Sequence, residues 1–195
     1  MFIVFGTIRD TCKPLAWGLL PDKSSRSYDE FFSQLNGALK RNQLKLAATS
    51  FMSDFEPAIP KYFCQWFPGI PAQGCYFHFG KSIWKMVSAN GMKRFYSSKS
   101  EEPSFGNFVR LILGLPFLKV DDLHIGLRNI EKASANFKLD SCKAFAKKML
   151  RYLNSFWMTK DHSTWNVYNV KTRTNNRAGI SFKINILMLS GHRAI

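Results

Sequence analysis

An α/β fold passing into an all-helical stretch is predicted by three observations. Over residues 1–100, short apolar runs bounded by turn residues alternate with amphipathic helical patterns. From about Ser104 to Trp157, apolar residues recur at three- and four-residue spacing with no strand-like run between them. The chain has 195 residues, 46% of them hydrophobic and 18 of them Phe. That is enough to bury the core of one domain and too apolar for a disordered chain.

The elements follow in order. Met1–Ile8 is rich in β-branched and aromatic residues and reads as a strand. Asp10-Thr-Cys-Lys13 reads as a turn, and Pro14–Leu20 as a second strand closed by Pro21-Asp22. Ser25 or Ser27 can cap a helix to about Asn42, with Tyr28, Phe31, Phe32, Leu35 and Leu39 on one face. Ala47–Ser53 is the third strand. A helix is expected from Asp54, carrying Phe55, Ile59, Phe63 and Phe67, with Pro57 and Pro60 near its start. Ala72–Phe79 reads as a further strand and Lys81–Tyr96 as a helix. The remaining helices centre on Phe105–Leu115, start at Asp121 or Asp122, and run from Asp140 or Ser141 to about Trp157. On the last, Phe145, Met149, Leu153 and Phe156 are expected to face inward. Thr159–Asn176 reads as a polar loop dotted with aromatics, and a closing helix is expected within 161–195.

Charge narrows the function. Lys and Arg number 28 against 13 Asp and Glu, a formal net charge of +15. The excess is clustered: 11 basic against 2 acidic residues from Lys138 to Ile195, and 5 against none from Lys81 to Lys99. Clustered positive charge favours a polyanion such as nucleic acid, with a solvated basic face as the plain alternative. The four cysteines form no C-x-x-C pair, which fits a reducing compartment. No apolar run reaches transmembrane length, so no membrane partner is expected.

Five segments, taken in order, resemble one family. They are Pro14-Leu-Ala-Trp-Gly-Leu-Leu-Pro-Asp-Lys23 with Tyr28 and Phe31-Phe32; Met52-Ser-Asp-Phe-Glu56; Gln73-Gly-Cys-Tyr-Phe-His-Phe79; Trp165-Asn-Val-Tyr168; and Arg173-Thr-Asn-Asn176. Their sequence and order resemble the catalytic domain of the Mutator-like (MULE) transposases. The resemblance implies a ribonuclease H-like mixed sheet with an all-helical insertion, here divided as 1–100, 101–160 and 161–195. It implies DNA as partner, a nuclear location, a possible homo-oligomer, and cut-and-paste strand transfer by an Asp-Asp-Glu triad holding two Mg²⁺ or Mn²⁺ ions.

By that resemblance Asp54 is the second acid of the triad and a metal ligand. An Asp here also suits a helix N-cap, and Glu56 suits a first helical turn. The family's first Asp lies on a strand before Met1, so a truncated domain lacking its central strand is expected. In the family's strand order 3-2-1-4-5, that leaves Met1–Ile8 and Ala47–Ser53 with facing, unpaired edges and an aggregation-prone chain. The third acid should follow Asn175-Asn176 by three positions, but the chain reads Arg177-Ala-Gly179, and Asp161 is its last acidic side chain. One carboxylate does not hold two metal ions, so a catalytically inactive, at most DNA-binding, protein is expected. Two alternatives stay open: an active transposase with an incomplete gene model, and a captured regulatory DNA-binding protein.

Cys75 and His78 match the family's C-x-x-H segment. As zinc ligands they would need two more donors, from His124, His162, His192 or Cys142, none at a recognisable spacing. Arg173, Asn175, Asn176 and Arg177 are candidate DNA contacts, although Asn pairs also form turns unaided. Trp165 and Tyr168 suit either base stacking or core packing.

Overall fold

Strand β1 (Phe2–Ile8) turns back into β2 (Thr11–Gly18), pairing antiparallel from Phe2 opposite Gly18 to Ile8 opposite Thr11. The computed structural model describes residues 1–8, 11–97, 99–170, 173 and 182–187, with backbone alone at 7, 8 and 182–187. Strand β2 starts earlier than expected: Thr11, Cys12 and Lys13 are ladder residues and not a turn. It is the sheet edge, where Pro14 is tolerated because no further strand needs its missing N–H. The register shifts between Val4 and Phe5, opposite Pro14.

The chain divides into two units, one of Met1–Cys75 with Thr174–Ile195 and one of Tyr76–Arg173. In the first unit, α1 (Ser25–Arg41) follows the hairpin. Its N-cap is Ser24, whose hydroxyl accepts the Ser27 N–H, and not Ser25 or Ser27. Strand β3 (Ala47–Ser53) matches expectation. Helix α2 (Ala58–Trp66) starts four residues later than expected, because Pro57 sits at its N-cap and Asp54 is held in a turn before it. Strand β4 is only Ala72–Gly74, parallel to β3.

The order of the sheet is β2-β1-β5-β3-β4. Strand β5 is Phe182–Leu187, parallel to β1 and antiparallel to β3. This corrects two expectations. The slot between β1 and β3 is filled, so the sheet does not lack a central strand, and the C-terminal segment contributes a strand where a helix was expected. A strand joined to β1 by a hairpin would run antiparallel to it. Strand β5 runs the other way, because it arrives from the far end of the chain.

Helices α1 and α2 bury an aromatic core with Phe2, Val4 and Phe51 of the sheet. Phe51 and Phe63 stack at 3.8 Å between centroids, and Phe32 meets Phe63 edge-on at 5.7 Å. Each ring buries enough apolar surface to contribute roughly 2–3 kcal/mol.

The second unit is helical: α3 (Tyr76–Ala89), α4 (Ser104–Gly114), α5 (Leu123–Ala135) and α6 (Asp140–Tyr152), with one 3₁₀ turn between α3 and α4 and two between α4 and α5. The predicted strand Ala72–Phe79 therefore ends at Gly74, and Tyr76–Phe79 opens α3. Helix α6 continues as a π turn, Leu153–Trp157, closed by the Met158 N–H on the Leu153 carbonyl. That wide turn keeps Trp157 inside, 1% exposed, and leaves Phe156 39% exposed, reversing the expected inward position of Phe156. Phe79, Trp157 and Trp165 form one cluster, so Trp165 is a core residue while Tyr168 is exposed.

Glu102 is 2% exposed and ties this unit together. Its carboxylate accepts the Ser104 hydroxyl at 2.6 Å and the Lys138 and Leu139 N–H groups at 2.6 and 3.0 Å. It thereby satisfies donors at the starts of both α4 and α6. Asp140 lies in the first turn of α6, whose N-cap is Leu139.

Candidate functional site

Asp54 is the residue after β3, where Ser53 ends the strand and donates its hydroxyl to the Asp54 carbonyl at 2.9 Å. The Asp54 carboxylate accepts the Glu56 N–H at 3.3 Å. That short loop stops the strand and delivers the chain to Pro57 and α2. Asp54 is thus neither a helix N-cap nor in a helix, and Glu56 precedes the first helical turn.

Asp54 and Glu56 line a cleft of about 220 Å³ together with Asp22, Lys23 and Tyr28, over the apolar side chains of Phe2 and Ile59. The Tyr28 hydroxyl, on a side chain 3% exposed, donates to Glu56. Burial, then the charge and hydrogen bond of Glu56, then the charge of Asp54, push the Tyr28 phenol well above its ordinary range. It stays protonated and remains a donor. Asp22 is held down to about 2 by hydrogen bonds from the Ser24 and Ser27 side chains and the Ser24 N–H. Its carboxylate takes the Ser27 hydroxyl at 2.6 Å and the Ser24 N–H at 2.8 Å.

Three carboxylates therefore share this cleft, and each has local work. Asp22 fixes the entry to α1, Asp54 fixes the turn before α2, and Glu56 holds Tyr28. A two-metal centre needs several carboxylate oxygens converging on two cations. Among the described residues no three His, Cys, Asp or Glu side chains are placed to hold even one. The described residues do not fit a pair of divalent metal ions. Asp22 joins the cleft although none of the family motifs singles it out. Its signal was local: Asp22, Ser24 and Ser27 have the spacing of a helix entry that gathers a carboxylate beside Asp54.

The other candidates lie apart from Asp54 in the chain. Cys75 is buried in the first unit, its N–H donated to the Ser53 carbonyl at 2.8 Å. His78 belongs to α3 of the second unit. Cys142, the cysteine weighed as a zinc donor, is buried in α6, where burial raises its thiol pKa. Arg173 accepts the Tyr76 N–H at its carbonyl, and its guanidinium lies 5.0 Å from the Phe117 ring centroid. Asn175, Asn176, Arg177 and His192 lie outside the described residues.

Positive charge concentrates on the helical unit, where seventeen Lys and Arg face seven Asp and Glu between Tyr76 and Arg173. Among the described residues the ion pairs are Arg26–Glu30 and Lys143–Asp140, both exposed helix-surface pairs. Most of the described cations therefore have no ion-pair partner among the described residues. No helix among the described residues is long and apolar enough to cross a membrane.

Residues 1–82 match the family model of the MULE transposase domain. The match takes in the hairpin, the Asp54 segment and the Cys75–His78 segment, and ends before the Trp165 and Arg173 segments. No curated protein and no solved structure matches the chain.

Proposed function

We propose that this chain, whose residues 1–82 carry the signature of the MULE transposase domain, is a ribonuclease H-like relative of those enzymes that binds DNA in the nucleus without cutting or joining it. The carrying observation is Asp54 itself. It stands at the family's second acidic position, yet its carboxylate closes the turn to Glu56 and no third donor joins it among the described residues. The Lys- and Arg-rich helical unit supports the DNA-binding half of the reading. Cys75 and His78 are read as packing residues of the family motif, and Arg173, Asn175, Asn176 and Arg177 as contacts for DNA phosphates.

Two results are expected. With Mg²⁺ or Mn²⁺, the purified protein neither nicks nor joins end-labelled DNA, and Asp54→Ala leaves that baseline unchanged. Metal-dependent cleavage abolished by Asp54→Ala would overturn the reading. Binding to duplex DNA should be tolerant of sequence and weaken about a hundredfold or more between 50 and 200 mM salt, as expected when several phosphates are neutralised. An affinity flat across that range would remove the electrostatic basis.

A further inference from the structure

We propose that the outer face of the π turn, built from Tyr152, Phe156 and Lys160, is a stacking platform for an unpaired nucleobase. The inference rests on the DNA-binding reading and adds a form of substrate that the reading leaves open. Tyr152 and Phe156 stack near-parallel, 5.3 Å between centroids and 14° between planes. The Lys160 ammonium lies 4.3 Å from the Phe156 centroid. Phe156 is 39% exposed, although it sits one residue from a core tryptophan. The π turn produces this arrangement: it holds Trp157 inward and turns Phe156 out, and such turns recur at functional positions.

The charge around the rings selects the partner. From Ser141 to Lys160 the chain has five Lys or Arg and no Asp or Glu. Lys147, Lys148 and Arg151 are exposed. Lys148 spends one donor on the neutral Asn90 carboxamide at 2.8 Å, which leaves its charge intact. Lys143 is paired with Asp140, but Lys147, Lys148 and Arg151 have no ion-pair partner among the described residues. Exposed aromatic rings on so basic a stretch are the chemistry of single-strand binding, with bases on the rings and phosphates on the ammonium and guanidinium groups. Paired bases inside a duplex are already stacked, so the platform takes a base at a gap, a flap or a free strand.

The test compares a single-stranded oligonucleotide carrying 2-aminopurine with the matching blunt duplex, by anisotropy and aminopurine fluorescence. Phe156→Ala should weaken single-strand binding about tenfold. It should leave duplex affinity, its salt dependence and the melting temperature unchanged, and Phe156→Tyr should restore binding to within about twofold. Equal loss on both DNA forms, or no loss on either, overturns the platform. Duplex binding without an aminopurine response overturns the platform and leaves the DNA reading standing. A wild-type protein that binds neither form removes both.

Discussion

Glu102→Ala is expected to destabilise the helical unit by about 3–5 kcal/mol, because it strips the acceptor from three donors at once. The Ser104 hydroxyl, the Lys138 N–H and the Leu139 N–H all point to this carboxylate. With Glu102 only 2% exposed, water does not readily replace it. Glu102→Gln keeps the volume and one acceptor oxygen but loses the charge, so a smaller cost of about 2 kcal/mol is expected. The pH dependence separates charge from packing. Burial pushes the Glu102 carboxyl up, but the Ser104 and the Leu139 and Lys138 backbone hydrogen bonds, with the Lys138 charge, outweigh it and hold its pKa below the ordinary value. The unfolded chain then binds the proton more tightly than the folded one. The stabilisation is fully present above the unfolded carboxyl pKa of about 4.3 and is lost as pH falls through the lower folded value. In urea unfolding, the gap between wild type and Glu102→Gln should be constant from neutral pH to about 5 and narrow below about 4. A gap independent of pH would show that packing, not the charge, holds the junction.

The features legible in the sequence were those set by local chemistry. Asp54 could be placed at a strand end because an apolar run stops at a polar residue, and β3 follows expectation to the residue. The start of α2 was misplaced because Asp54 uses its side chain on the Glu56 N–H, a turn competing with the cap that the same residue could form. Ala72–Phe79 is a short apolar run, and such runs do not separate a strand from a buried helix. The structure spends its first three residues on β4 and its last four on α3. Phe156 and Trp157 exchanged roles because a π turn shifts the helical register, and nothing in a 3.6-residue pattern announces one. The carboxylates of Asp22 and Asp54 meet in one cleft only because the entries to α1 and α2 lie at the same end of the sheet. That is tertiary information.

Strand β5 was the largest miss, and it leads to the largest expected effect. Phe182-Lys-Ile-Asn-Ile186 does alternate apolar and polar residues, but its partners lie earlier in the chain, in β1 and β3. Ile184 stands opposite Gly6 of β1 and Phe51 of β3. With Lys183, which stands opposite Phe5 and Met52, it is where one strand joins the β1–β2 hairpin to the β3–β4 pair. Without β5, the edges of β1 and β3 would face each other across about 10 Å, two strand spacings, with their N–H and C=O groups unpaired. Phe2, Val4 and Phe51, which carry the sheet side of the aromatic core, lie on those two strands. Proline at 184 removes a donor from the centre of the sheet and imposes a φ that a central strand does not sustain. Ile184→Pro is therefore expected to cost about 3 kcal/mol or more and to abolish cooperative unfolding of the sheet unit. Ile184→Val, which keeps the β-branch and the backbone N–H, should leave the strand paired and cooperative unfolding intact. Hydrogen exchange gives the sharper reading. In Ile184→Pro, protection should fall across both β1 and β3 while α4 and α6 keep theirs, since those helices belong to the other unit. A proline variant with wild-type melting and undiminished protection in β1 and β3 would remove β5 from the centre of the sheet.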